Sequence, residues 1–432
     1  MTFIFAAALS LLCVAIILIS PRVGIVFLFI IKPIVDSTWN DHMGGINALK
    51  ILGALVPAVL FLRFIFTSDL RKHGAPFIII WLIYFLANII CFSLILTKGQ
   101  VVGSIEFILR IANGLIGFYM LRTYIDNEKW LKVFVIGLLI AGLYPMGMGV
   151  YQAATGKIWQ LRESVGLIRN VGLYHDSFSL RYLVFQTLVG ILLYWSFFKK
   201  KSIISSLFLS GYSLVSIFVL FKLYTKAGYA ILILWAITWS IFNKKVFQFI
   251  VLFMLVLALN LATGSDIYDK FTTVYSKEMS AIEGTGDESR ILSGRLYLWE
   301  DNWENWKGSG IPGILFGLGT TAGTSHNEFL RVLISSGVFG FTAYMILLFL
   351  VSYNVIKNLF RDRNTMSVIA FMVLTGWLVD SIGLVPGLYS SYQWYAWGII
   401  GLNMKPLEYL KRLTHPDLKP STPATAPLLV KG

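Results

Sequence analysis

The residues best suited to chemistry sit in Ser325-His326-Asn327-Glu328, directly ahead of the apolar run Phe329, Leu330, Val332 and Leu333. Ser followed three residues later by Glu, before such a run, is a capping box. The spacing therefore predicts a helix starting there with His326 in its first turn. The partial positive charge at a helix N-terminus disfavours imidazolium. A neutral histidine able to accept a proton near pH 7 is expected. Against this, a lone histidine at a helix end is more often a hydrogen-bonding residue than a base.

Cations form the second set. Arg169 opens Arg169-Asn170-Val171-Gly172, Lys226 sits in Tyr224-Thr225-Lys226-Ala227-Gly228, and Arg290 and Arg295 belong to one long polar stretch. Four such cations could hold an anionic ligand, because Arg binds phosphate oxygens through two parallel hydrogen bonds. They could equally be solvated loop charge or contacts to lipid headgroups. Metal chemistry is weakly supported: Asp36, Asp41 and His42 share an early loop, but their spacing fits no ligand template. No metal and no cofactor are expected. His175-Asp176 reads either as a second base or as a polar pair at a helix start. A Gly-x-Ser-x-Gly elbow and a phosphate-binding P-loop are both absent from the sequence, which disfavours serine hydrolases and P-loop ATPases.

The elements that must position these residues follow from composition. Of 432 residues, 57% are apolar and 13% charged, and the mean hydropathy is +0.74. Soluble domains run at about 45–50% apolar and about 25% charged. Apolar runs of roughly 20 residues, each long enough to cross a ~30 Å hydrocarbon core, recur from Leu11 to Leu402. These runs are continuous, unlike the short alternating segments of a barrel. The expected fold is an all-α polytopic membrane protein with 12 or 13 transmembrane helices. Expected spans are 46–66, 75–96, 104–124, 131–152, 179–198, 203–222, 227–242, 246–263, 331–356, 366–386 and 391–404, with one or two more in 1–36. The first twenty residues lack a basic n-region, so a first membrane helix is expected there rather than a cleaved signal peptide. Cys13 and Cys91 both lie in apolar runs and suggest neither disulfide nor metal.

The formal charge of +14 belongs largely to short connections. Arg71-Lys72, Arg122 with Lys129 and Lys132, Lys199-Lys200-Lys201, Lys244-Lys245, and Arg361 with Arg363 mark the cytoplasmic side by the positive-inside rule. Nucleic acid is not the expected partner. The chain then divides into N-terminal membrane helices over 1–262, interrupted by an extracytoplasmic connection at 153–178, and a long extracytoplasmic loop at 263–325. Helices over 326–404 and a cytoplasmic tail at 405–432, Pro-, Thr- and Ala-rich from 416 and read as partly disordered, complete it. Within the long loop Ser293-Gly294-Arg295 opens a segment with Leu296, Trp299, Trp303 and Trp306 on one helical face. Glu300, Asp301 and Glu304 beside them suit an amphipathic helix at the lipid–water boundary. The glycines of 308–319 read as tight turns near something bulky or as a plain connector.

A base, several cations and a membrane-edge site together suit transfer of a group from a lipid diphosphate. Such a leaving group needs positive charge as negative charge develops on it, and a neutral histidine could take the proton of an incoming hydroxyl. The competing class is a flippase or channel. Lys50, Arg63, Glu106, Arg110 and Asp380 fall inside spans and would mark its path, although Glu106 and Arg110 are also spaced to pair i, i+4.

The combination Ser293-Gly294-Arg295, Trp299, Gly317-x-Gly319, Ser325-His326-Asn327-Glu328-Phe329-Leu330 and Gly337-x-x-Gly340 resembles the signature of the O-antigen ligase and polymerase superfamily. Arg169-x-x-Gly172 and the turn at Lys226 fall where that family has its other basic motifs, so the resemblance covers about 160–345. It implies a metal-independent glycosyltransferase of the bacterial inner membrane, working at the periplasmic face on undecaprenyl-diphosphate-linked glycans as donor and acceptor. It also implies His326 as base or acceptor-orienting group, with Ser325, Asn327 and Glu328 supporting it. Diphosphate binding falls to Arg295 and Arg169, with Lys226 and Arg290 beside them. The family turn often has Ser-Arg where this chain has Thr225-Lys226, which keeps the charge and loses the two-pronged fork. A chain-length regulator and a flippase of the same pathway are the expected partners. The divergent first half favours a polymerase of an O-antigen or exopolysaccharide over a ligase acting on lipid A core.

Overall fold

The computed structural model describes residues 2–44, 46–96, 101–164, 167–198, 202–243, 275–276, 279–285, 294–319 and 325–405. The expected span 246–263, the basic clusters at 199–201 and 244–245, Arg290, Ser293 and the tail from 406 lie outside the described residues.

Helices account for nearly all of the structure: α1 Thr2–Ile19, α2 Pro21–Asp36, α3 Ala48–Phe66, the short α4 Asp69–His73, α5 Ile78–Leu96, α6 Val101–Tyr124, α7 Glu128–Thr155, α8 Ser177–Phe197, α9 Ile203–Lys222 and α10 Lys226–Phe242. Then follow α11 Arg295–Lys307, α12 Gly310–Phe316, α13 Glu328–Asp362, α14 Thr365–Gly383, a 3-10 turn Pro386–Leu388 and α15 Ser390–Asn403. Two small antiparallel hairpins, β1 His42–Met43 with β2 Ile46–Asn47 and β3 Glu163–Ser164 with β4 Leu167–Ile168, lie between helices. Among the described residues seven helices are long and apolar enough to cross a membrane, and Ile78–Cys91 and Lys226–Phe242 are shorter apolar helices. The chain is an all-α polytopic membrane protein. The stretch before Ser37 forms two helices rather than one.

Local sequence explains where the helices begin. Asn47, Asn127, Asp176, Ser202 and Asn364 each accept a backbone N–H from the first turn of α3, α7, α8, α9 and α14, satisfying donors that the helix leaves unpaired. Inside the bundle α8 and α15 are buried almost all round. Close packing of α15 on α6 depends on glycine. A Cβ on Gly401 would lie 2.0 Å from the Phe118 carbonyl oxygen, so small residues let the backbones touch, as is common between membrane helices.

The two ends of the bundle differ. At one, Arg22 pairs with Asp126, Arg63 Nε donates to Asp69 at 3.3 Å, Lys405 Nζ donates to the Ile125 carbonyl at 2.9 Å and Asn358 Nδ2 to the Asn403 carbonyl at 3.2 Å. Arg122, donating to the Gly74 and Gly401 carbonyls, and Arg361, donating to Asn358, belong to this end. At the other end Asp36 accepts from Tyr182 and Ser391, Tyr389 reaches Asp176, and Asn327 Nδ2 donates to the Ile382 carbonyl at 3.3 Å.

Among the described residues three pairs of buried charges lie in the bundle, while buried Arg122 and Lys405 donate to backbone carbonyls. Lys32 pairs with Asp36, Arg181 with Asp380, and Arg331 with Glu328 at 2.5 Å. The Glu106 side chain, and with it the expected i, i+4 pairing with Arg110, lies outside the described residues.

Candidate functional site

His326 is exposed and stands two residues before α13, not inside its first turn. The expected capping box is therefore corrected. Asn327 is the N-cap, its side chain accepting the Leu330 N–H at 3.0 Å, while Ser325 Oγ donates to the Asn327 carbonyl at 3.0 Å. Glu328 does not turn back to the helix start, because a stronger partner takes it. It is buried, receives two hydrogen bonds from Arg331 at 3.1 and 2.5 Å, and accepts the Gly387 N–H at 3.2 Å. Displacing the cap by two residues puts His326 in the left-handed region, at φ 48°. Histidine visits that region more readily than most residues, at a cost of roughly 1–2 kcal/mol.

Arg295 is the first residue of α11, entered through Gly294 at φ 81°. Its guanidinium reaches toward the end of α14, where a Cβ on Gly383 would lie 3.0 Å from Nη1. Arg295 is close enough to act electrostatically on both His326 and Arg169. The predicted helical face is present: Leu296, Trp299 and Trp303 face the start of α13, and buried Trp306 packs on Ile334.

Arg169 follows β4 in a loop fixed by its neighbours. Asn170 N–H donates to the Lys222 carbonyl at 3.0 Å, Asn170 Nδ2 to the Gly149 carbonyl at 2.6 Å, and Gly172 N–H to Gln152 Oε1 at 2.6 Å. The guanidinium Nη1 donates to Ser177 Oγ at 3.4 Å. Burial and the nearby cations Arg181 and Arg295 lower the Arg169 pKa, opposed by Tyr229 and Asp176. Such a crowd of positive charge is stabilised by an anion placed among it.

Asp176 decides in favour of the helix-start reading of His175-Asp176. Its Oδ1 caps α8, accepting from Ser179 N–H at 2.7 Å and Ser179 Oγ at 2.8 Å, and its Oδ2 accepts from Tyr389 Oη at 2.7 Å. Burial raises its pKa, but hydrogen bonds from His175, Ser179 and Tyr389 outweigh this and hold it at about 2. Asp176 therefore stays ionised. Burial and Arg295 lower the His326 pKa, with Asp176 opposing them. The direction of these effects favours the neutral imidazole, and partial burial and Arg295, not a first-turn position, are the causes.

Lys226 begins α10 with its ammonium 5.3 Å from the Tyr275 ring centroid, one turn before the Tyr229 that shares the field of Arg169. Arg290 and Ser293 lie outside the described residues. Asp36, Asp41 and His42 do not converge: Asp36 is buried among Lys32, Tyr182 and Ser391, while His42 is exposed in β1. Sequence reasoning missed Arg181 and Tyr389, both at this end of the bundle, because nothing local marks either as polar machinery.

An open, mainly apolar groove of about 640 Å³ reaches Asn327, the residue after His326, and is lined by Leu296, Trp299, Glu300 and Trp303 of α11 and by Phe329, Leu330 and Leu333 of α13. The glycines of the long loop hold this arrangement. Leu318 N–H donates to the Ile334 carbonyl at 2.6 Å where Gly337, at φ 63°, breaks the helical path of α13. A Cβ on Gly317 or Gly337 would fall 2.4 or 2.3 Å from the opposing backbone. Cys91 also donates to the Phe316 carbonyl.

Fold and site define a polytopic membrane protein that carries a neutral histidine and two arginines at one end of its bundle, beside an apolar groove. Residues 211–345 match the family model described as O-antigen ligase, which supports the resemblance to the O-antigen ligase and polymerase superfamily. The matched segment contains Lys226, Arg290, Arg295 and Ser325–Glu328, while Arg169 precedes it. That match supports activity of the O-antigen ligase or polymerase type. No curated protein matches the chain.

Proposed function

We propose that this protein polymerises undecaprenyl-diphosphate-linked oligosaccharide repeats into an exopolysaccharide or O-antigen, at the periplasmic face of the bacterial inner membrane. The observation that carries the reading is that Arg295 lies near enough to both His326 and Arg169 for its charge to act on each. A neutral base beside two arginines matches a reaction in which a hydroxyl loses its proton while a diphosphate gains charge.

In the proposed step the acceptor hydroxyl oxygen forms a bond to the donor's anomeric carbon. The bond from that carbon to the diphosphate oxygen breaks, and its electron pair leaves with the diphosphate. His326 takes the hydroxyl proton; Arg295 and Arg169 hold the departing diphosphate, with Lys226 and Arg290 as further cations. The groove between α11 and α13 holds the isoprenoid chain, since it is apolar, open and next to Asn327. Ser325, Asn327 and Glu328 support the histidine by fixing the backbone on either side of it. Positive charge comes from the chain's own arginines, so the step proceeds without a divalent ion, and turnover unchanged by EDTA is expected.

The flippase alternative is less well supported, because Lys32, Arg181 and Arg331, all buried in the described bundle, are each neutralised by a buried carboxylate. Purified protein with undecaprenyl-diphosphate repeats as the sole substrate tests the reading. A ladder of products longer than one repeat is expected, and a failure to extend without lipid A core would favour the ligase.

A further inference from the structure

A second cavity, of about 210 Å³, opens where the C-terminal ends of α7 and α9 meet the loop after β4. It has room for about seven waters at ~30 Å³ each, enough for a phosphate or diphosphate but not for an oligosaccharide. Its charged lining residues are Arg169 and Lys222, with Gln152, Asn170 and Tyr224 as further polar walls and no carboxylate among them. Arg169 Nε is a buried donor and Asn170 Oδ1 a buried acceptor, neither with a hydrogen-bond partner among the described residues. An unmet donor and an unmet acceptor side by side, next to two cations, suit an anionic oxygen adjoining a hydroxyl, as in a glycosyl phosphate.

The rim has the opposite character. Ile158 and Ile168, which line the cavity, are 45% and 49% exposed. Next in the chain to the lining residues Gln152 and Ile158, Tyr151 and Trp159 pack 5.7 Å apart, with Lys157 over the Trp159 ring. Aromatic and apolar side chains around a basic interior are the arrangement of a membrane–water interface. A ligand seated there would keep its charged head inside and its hydrocarbon in lipid. Arg169 stands between this cavity and the His326 side, where its Nη1 donates to Ser177.

We propose that the cavity bounded by Arg169 and Lys222 binds the phosphate head of a second lipid, distinct from the one held at His326 and Arg295. The inference rests on the polymerase reading, which requires two diphosphate-headed lipids at once: a donor, and an acceptor whose glycan hydroxyl attacks. An acceptor head in this cavity would share Arg169 as a wall with the donor head, bringing the two glycans together near His326. The same phosphate chemistry could come from an anionic phospholipid.

The test is native mass spectrometry of the full chain titrated with undecaprenyl diphosphate, then with phosphatidylglycerol. Wild type should bind two equivalents of undecaprenyl diphosphate. Lys222→Glu should keep the first and weaken the second more than tenfold, and Lys222→Arg should keep both. If Lys222→Glu loses both equivalents, Lys222→Gln is judged by the same criterion. Retention of the second equivalent against excess phosphatidylglycerol assigns the cavity to the acceptor, and its displacement assigns it to a phospholipid head. Full second-site binding by Lys222→Glu, or a single equivalent in wild type, overturns the proposal. Because the readout is binding, that failure is separate from failure of the polymerase reading, which is judged on product length.

Discussion

Tyr389 Oη donates a 2.7 Å hydrogen bond to Asp176 Oδ2 across 213 residues of chain. It ties the turn between α14 and α15 to the start of α8, and so to the loop that carries Arg169. Glu328 makes the matching tie from the other side, accepting Gly387 N–H while paired with Arg331. The turn at 384–389 thus joins the Arg169 loop to the histidine segment, and site geometry depends on a region with no catalytic residue of its own.

His326→Asn separates chemistry from backbone strain. Asparagine tolerates the left-handed conformation that His326 adopts at φ 48°, but it cannot act as the base. Activity should fall about 10²–10⁴-fold with unchanged membrane insertion and thermal melting. A fully active His326→Asn would remove the histidine from the mechanism.

The pH profile follows from the neighbours of His326. Catalysis needs the neutral imidazole, and burial and Arg295 lower its pKa below 6.5. Turnover should therefore hold at neutral pH and drop only as the pH falls below about 6.5. Arg295→Gln removes a charge that disfavours imidazolium, so the acid limb should move to higher pH, on top of a loss in kcat/KM. Asp176→Asn should move it the other way. Steady-state rates from pH 4.5 to 8 read both shifts.

Asp176 also links stability to pH. Its folded pKa of about 2 lies below the ordinary 3.8, so its contribution is present above pH 4 and fades as the pH falls toward 2. That shift corresponds to about 2 kcal/mol. Asp176→Ala should lower the melting temperature at pH 7, and the difference from wild type should narrow in strong acid.

Gly317 and Gly337 predict a purely steric effect. A Cβ at either would enter the opposing backbone, and both have positive φ. Gly337→Ala should destabilise by about 3 kcal/mol and loosen α12 from α13. Reactivity of Cys91, which donates to the Phe316 carbonyl, reports that loosening: faster labelling is expected in the variant.

Arg181 and Asp380 test the pairing of buried charge. Arg181→Met leaves a carboxylate unpaired in the bundle and should cost about 3–5 kcal/mol. The double variant Arg181→Met, Asp380→Leu should recover most of it, measured by thermal melting in detergent.

Much of the fold was legible because lipid imposes a coarse rule. Any span must be about 20 apolar residues long, and basic residues collect on one side. The tryptophan face of α11 was legible from period alone, since Leu296, Trp299, Trp303 and Trp306 repeat as a helix requires. The histidine segment was legible in kind and wrong in register. Ser325 and Glu328 have capping-box spacing, but Arg331 and Gly387 offered Glu328 a buried partner that sequence spacing cannot reveal. Arg181 and Tyr389 stayed hidden for a related reason. Each gains its meaning from a residue some 200 positions away, Asp380 and Asp176 respectively, and single-chain periodicity carries no information at that range.

The most direct test of the account is the length distribution of undecaprenyl-linked glycan in cells lacking the protein, complemented with wild type or with His326→Asn. Single lipid-linked repeats are expected in the deletion, long chains restored by wild type, and single repeats again with His326→Asn. Long undecaprenyl-linked chains persisting in the deletion, or full restoration by His326→Asn, would contradict it.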